Sequence, residues 1–246
     1  MKRLSLLSAS IFLLVTHIEA GAVPVLVNGD FSSGLASWTT QNSGDGADTA
    51  VIWIIEDPSG FDQLVNDGSS AAEASRVVYQ DFVVPAEGVD SASFNFDYYA
   101  SNSVPINSDA FTTFVNNPGG SNNGMRIDIL SPADNVFSGT VLFGLFAPTD
   151  GSPVGLPTAL VANAYPDPAA LAAFLNSQAG NTLRLRLGHR EESFPWNTGF
   201  DNINLDITAA SGPVEPPRRV PVMPLGALGL MVLGVLALVR RRLTQR

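Results

Sequence analysis

Between residues 23 and 211, short apolar runs are separated by clusters of Gly, Asn, Asp, Ser and Pro. That spacing predicts strands joined by turns, the pattern of a β-sandwich. The predicted strands are 25–27, 37–41, 50–55, 76–84, 92–100, 125–130, 140–146, 182–188 and 200–208. Several have a period of two. Phe94, Phe96 and Tyr98 face one way, and Asn95, Asp97 and Tyr99 the other. Leu183, Leu185 and Leu187 alternate with Arg184 and Arg186, and Ile203, Leu205 and Ile207 with Asn202, Asn204 and Asp206. Such alternation sends the apolar set into a core and leaves the polar set on an open face. One helix is expected after Asp167, with that residue as its cap, Pro168 in the first turn and Gly180 at the end. Leu171, Phe174 and Leu175 would form its buried side. Segments 57–70, 101–123 and 148–157 read as long polar loops, and no internal repeat is present.

Two apolar runs break this pattern. Lys2 and Arg3 precede an apolar stretch over 4–15, and Ala20-Gly21-Ala22 puts small residues where a signal peptidase reads them. A signal peptide over 1–22 is expected, cleaved after Ala22 or, as the alternative, after Ala20. Near the C-terminus, 220–239 holds no charged side chain. As a helix it would rise about 30 Å, the thickness of a bilayer's hydrocarbon core. Pro221 and Pro224 sit where a helix start tolerates proline, and Arg240, Arg241 and Arg242 follow the run directly. Arginines flanking a span stay cytoplasmic, so 23–219 is expected outside. A C-terminal transmembrane helix is the expectation; a buried core helix is the other reading of such a run. The proline-rich stretch 212–219 reads as a stiff spacer.

Composition removes several chemistries. The chain has no cysteine, so disulfides, thiolate metal sites and thiol catalysis are excluded. Residues 23–219 carry 7 arginines, no lysine and 22 acids, a formal charge of −15. That argues against nucleic acid as a partner and fits a soluble surface protein or one that gathers divalent cations. Past the signal peptide the only histidine is His189, too few for a multi-histidine metal site, and no G-x-S-x-G motif accompanies it. Glu191 and Glu192 are adjacent and would point to opposite faces of a strand. The chain therefore reads as a non-enzyme. A carboxylate pair assembled from distant loops, giving a polysaccharide hydrolase, stays open as an alternative.

Two stretches carry family resemblances. The tail resembles the bacterial C-terminal sorting signals of the PEP-CTERM class, with Val220-Pro221-Val222-Met223-Pro224 in the motif position, a hydrophobic helix over 225–239 and Arg240, Arg241 and Arg242 as the basic cluster. The strict Val-Pro-Glu-Pro form is absent. This resemblance implies an exosortase-like processing enzyme as a partner. Val27-Asn28-Gly29-Asp30-Phe31, followed by Gly34-Leu35-Ala36-Ser37-Trp38, resembles the opening of galactose-binding-like jelly rolls, which include many carbohydrate-binding modules. Gly199-Phe200-Asp201-Asn202-Ile203-Asn204-Leu205 is similar to their closing strand, and Val78-Tyr79-Gln80-Asp81-Phe82 to a strand between. The expected fold is thus mainly β, a single jelly-roll sandwich over 23–211 with one short helix, followed by the spacer and the 220–246 sorting signal.

The second resemblance implies a structural calcium ion tying the first strand to the last, with Asn28, Asp30 and Asp201 as ligands. Ser32 stands where the family has a glutamate. The plainer reading is that Asn28 and Asp30 close a turn and Asp201 caps a strand end. Trp38 reads as a core residue beside Phe31. Trp53, Tyr99 and Trp196 are the candidate sugar platforms, with Asn95 and Asp97 beside Tyr99 to bond hydroxyls. Arg184 and Arg186 read as members of exposed ion pairs with Asp97, Asp128 or Asp206. Together these readings describe an exported protein held at the membrane by its tail and passed to the cell surface or beyond. It would bind carbohydrate or exopolysaccharide; a structural matrix protein without a specific ligand is the alternative.

Overall fold

The computed structural model describes residues 22–43, 53–56, 63–66, 74–100, 123–149, 159–191 and 197–211, with the backbone path alone at 53–56, 63–66, 74 and 191. Among them the chain forms, in order, β1 (Val23–Pro24), β2 (Thr39–Asn42), β3 (Trp53–Glu56), β4 (Gln63–Asn66), β5 (Ala74–Val83), β6 (Val89–Ala100), β7 (Gly124–Leu130), β8 (Phe143–Phe146), β9 (Val161–Ala164), α1 (Pro168–Ser177), β10 (Thr182–Glu191) and β11 (Thr198–Ala209). Sheet A has the order β3-β4-β11-β6-β9, with β1 also on β11; sheet B has the order β2-β5-β10-β7-β8. Strands β4 to β11 fill the eight places of a jelly roll, 4-11-6-9 over 5-10-7-8, with every pairing antiparallel.

Period-two alternation builds the core. Phe94, Phe96 and Tyr98 from β6 meet Leu183, Leu185 and Leu187 from β10 and Met125, Ile127 and Ile129 from β7, all buried. Phe146 closes the side of this cluster, with ring centroids 4.8 Å from Phe96 and 4.6 Å from Tyr98. Phe31 and Trp38 enter the same core 5.5 Å apart. The α1 cap is as expected: Asp167 Oδ1 accepts from Ala170 N–H at 2.9 Å, and Leu171 and Leu175 are buried. The helix stops at Ser177, earlier than expected, and Gly180 (φ +78°) serves the turn after it.

Two strands were not legible. β4 lies inside the predicted loop 57–70, and β9 lies where no strand was expected. Each has only four residues, too short for a period to stand out. The free edges of β11 and β6 supply their hydrogen-bond partners.

The predicted signal peptide, spacer and tail lie outside the described residues, including Val220, Pro221, Pro224, Arg240, Arg241 and Arg242. Among the described residues no helix is long and apolar enough to cross a membrane.

Candidate functional site

One edge of β11 is shared between two partners. β4 pairs with Thr198, Gly199 and Phe200, and β1 with Asp206 and Ile207. Between them the register of β11 on β6 slips from Asp201 to Asn204, and Asn202 adopts φ +51°. Asparagine tolerates this left-handed conformation better than most side chains. The opening segment fills the gap: Val25 N–H donates to Leu205 O at 3.0 Å and Ile203 N–H to Gly29 O at 2.9 Å. A Cβ on Gly29 would lie 1.9 Å from Ile203 O, so only glycine permits this approach. What remains is an open notch of about 520 Å³, lined among others by Asn28, Asp30, Asn95, Asn202 and Asn204.

The notch walls are held from behind. Asn28 donates both amide hydrogens, to Gly34 O at 2.8 Å and Ala36 O at 3.0 Å, while its Oδ1 accepts from Ser33 N–H at 2.9 Å. Trp38 Nε1–H donates to Asn28 O at 2.9 Å. Gln80, reaching in from β5, clamps Val27: its Oε1 accepts from Val27 N–H at 2.7 Å and its Nε2 donates to Val27 O at 2.9 Å and Ser37 O at 3.0 Å. Asn202 Nδ2 donates to Asp97 at 2.8 Å, and Asn204 Nδ2 to Asp206 at 2.7 Å. Those bonds leave the Oδ1 atoms of Asn202 and Asn204 as acceptors, beside the exposed amide of Asn95.

The opening and the last strand therefore meet, and Asn28, Asp30 and Asp201, the residues expected to hold calcium, are engaged there in local hydrogen bonds. The Asn28 amide is committed to the turn, and Asp30 Oδ1 accepts from Ser32 N–H and Oγ–H. Asp201 is buried and accepts from Asn202 N–H at 2.7 Å. Among the described residues no three of His, Cys, Asp or Glu converge as a metal group. Asp201 instead sits directly across from Asp97, with the Asn202 amide between the two carboxylates.

The sugar platforms require a correction. Tyr99 lies on the outward face with Asn95 and Asp97 by alternation, but it is 2% exposed. Its ring covers its cross-strand partner Gly199, where a Cβ would come within 2.1 Å of Cε1, so it offers no open face for stacking. Trp196 and the side chain of Trp53 lie outside the described residues. Sequence reasoning singled out neither Gly29 nor Asn202 nor Asn204 for the site. The Asn28-Gly29 pair and the asparagine of Asp201-Asn202 were the available signals for a left-handed bend.

The outer face of sheet B also differs from expectation. Arg184 pairs with Asp81, through Nε at 2.7 Å and Nη2 at 2.9 Å, and its guanidinium lies 4.1 Å from the centre of the Tyr79 ring. Its hydrogen bond to Asp81 raises its pKa above the ordinary arginine value. Arg186 does meet Asp128, but both are fully buried rather than exposed. Val136 and Phe137 pack over Val77 on this face, and the carbonyls of Val136 and Ser138 each accept from Arg186 Nη1 at 2.7 Å. Burial lowers the Arg186 pKa, opposed by the Asp128 charge. Asp97 and Asp206 belong to sheet A and cannot serve either arginine. His189 is fully buried between the sheets, with Nδ1 2.9 Å from Thr198 Oγ1.

No family model and no curated protein matches the chain. Solved structures do match. The complex of TmCBM61 with β-1,4-galactotriose is 12% identical with a TM-score of 0.43, covering 74% of this chain and 97% of that one. The K3 adhesin domain of Lys-gingipain from Porphyromonas gingivalis is 14% identical with a TM-score of 0.42, covering 76% and 100%. A Stig cyclase from Fischerella sp. TAU is 14% identical with a TM-score of 0.37, covering 78% and 100%. At these identities no residue role passes from those proteins to this chain.

Proposed function

We propose that this is an exported surface or matrix protein, tethered and then sorted through its tail, whose jelly-roll domain binds polysaccharide at the notch between its opening segment and β11. The observation that carries the reading is the lining of that notch. Asn95, Asn202, Asn204 and Asp30 line one open space beside the apolar Pro24, Leu26 and Ile203. Side-chain amides and carboxylates bond sugar hydroxyls as paired donors and acceptors. The burial of His189 supports a binding role over catalysis.

Binding of the full-length protein, purified in detergent, to a panel of neutral polysaccharides tests this. Asn95→Ala and Asn204→Ala are each expected to weaken the best ligand about tenfold, or roughly 1.4 kcal/mol. Equal binding by both variants would return the protein to the structural-matrix reading. The tail is tested separately by intact mass in the native host: a mature species still carrying Arg240 and Arg246 would rule out processing.

A further inference from the structure

Cationic side chains are confined to one sheet. Every lysine or arginine between residues 23 and 211 is one of Arg76, Arg126, Arg184, Arg186 and Arg190, and all of them belong to β5, β7 or β10 of sheet B. The strands of sheet A hold Glu56, Asp90, Asp97, Asp201 and Asp206 and no basic residue. Asp30 adds a further acid in the opening segment that bonds to β11. A ligand entering the notch therefore meets a negative field.

The notch amides are oriented by these carboxylates. Asn202 lines the notch and donates from Nδ2 to Asp97 Oδ2 at 2.8 Å; Asn204 lines it and donates from Nδ2 to Asp206 Oδ2 at 2.7 Å. A carboxylate only accepts, so neither amide can turn round without setting oxygen against oxygen. Both asparagines keep Oδ1 as an acceptor, and each stands one hydrogen bond from a negative charge. Asp30, in the same lining, accepts from Ser32 through Oδ1 and has a second oxygen, Oδ2. Such a lining suits a ligand that donates more than it accepts. A sugar hydroxyl donates once and also accepts, whereas an ammonium group has three donors and no acceptor. Pro24, Leu26 and Ile203 supply an apolar wall for the C–H face of a pyranose.

We propose that the notch selects an ammonium-bearing sugar, a 2-amino-2-deoxyhexose unit of a de-N-acetylated polysaccharide. The Asn202 and Asn204 carboxamide oxygens and Asp30 are its acceptors, and Asp97 and Asp206 are the charges behind them. The proposal rests on the polysaccharide-binding reading of the notch and names its ligand class. A charge-assisted hydrogen bond from an ammonium group is about twice as strong as a neutral one. The field of sheet A adds an attraction that salt screens. N-acetylation removes the charge and two of the three donors, so the two forms of one oligomer separate this contact from the rest of the sugar.

The test titrates the full-length protein in detergent with a glucosamine hexamer and with its fully N-acetylated counterpart. The pH is kept where the amines are protonated, and EDTA is present so that no divalent ion occupies the site. Wild type is expected to bind the amino form about tenfold more tightly at low salt, with the gap closing as salt rises. Asp97→Asn combined with Asp206→Asn keeps an oxygen to accept each asparagine amide and removes both charges, so the ratio of the two affinities should fall to near one. Asp134→Asn removes an exposed charge on the loop between β7 and β8 and should leave that ratio as in wild type. If the double variant melts lower than wild type, Asp30→Asn decides by the same ratio. Equal affinity of wild type for the two forms, a variant that keeps the full gap, or an Asp134→Asn protein that loses it equally would overturn the proposal. A wild type that does not bind the amino hexamer overturns it as well. The notch reading is judged separately, by the neutral panel and Asn95→Ala, and survives any of those results if neutral polysaccharide still binds.

Discussion

The two outer faces of the sandwich are built by the same alternation and end up chemically opposed. On sheet A, the outward positions of β6 and β11 hold Asn95, Asp97, Asn202, Asn204 and Asp206, and their charges are negative. On sheet B, the outward positions of β5, β7 and β10 hold Asp81, Asp128 and four arginines. The first face stays open at Asn95 and Asn202 and sets amides against its carboxylates. Asn202 stands between Asp97 and Asp201, which would otherwise repel across the ladder. The second face is roofed at its centre by Val136 and Phe137, and there its charges are dry. A polar side chain on a strand is therefore no guide to its exposure: Arg184 and Arg186 are two residues apart, and one is partly exposed while the other is sealed.

The largest effect should come from breaking the sealed pair. Asp128→Ala takes the carboxylate away from the buried Arg186, and a loss of about 3–5 kcal/mol is expected in urea unfolding. A loss below about 1 kcal/mol would mean that water reaches this site. On the open face, Asn202→Ala forfeits the amide between two carboxylates and puts an alanine at φ +51°, for a loss of about 1–2 kcal/mol. Asn202→Gly keeps the backbone relaxed, so the difference between the two variants isolates the conformational share. At the half-open pair, a double-mutant cycle of Asp81→Ala with Arg184→Ala is expected to give under about 1 kcal/mol, because the Asp81 carboxylate is solvated. A coupling as large as that of Asp128 would erase the distinction between the pairs. Chelation should do least. With the Asn28 amide spent on its turn, EDTA is expected to leave the melting temperature unchanged; a fall that Asp201→Ala abolishes would put a cation at the junction after all.

Much of the fold was written in the periodicity. Phe94, Phe96, Tyr98 and the three leucines of β10 point inward because a strand has a period of two and water rejects their surfaces, and no tertiary fact is needed to say so. Asp167 and Pro168 announce a helix start by the same local logic, since the cap bonds only its own first turn. Trp38 beside Phe31 was legible from apolar character alone.

The sites were less legible, because they depend on what lies across the ladder or above it. Tyr99 carries the outward parity of a platform, yet its ring folds over Gly199, a residue one hundred positions away. Arg186 shows the pattern of a solvated strand residue, yet the loop carrying Val136 and Ser138 lies over it. Likewise, the close approach of Gly29 to Ile203 exists only once the opening segment and β11 come into register. The sequence by itself determined which side of each strand is apolar, since that follows from local geometry and transfer to water. Only the tertiary structure decided which polar residues meet one another and which stay wet, since hydrogen bonds and ion pairs act over a few ångströms between segments far apart in the chain.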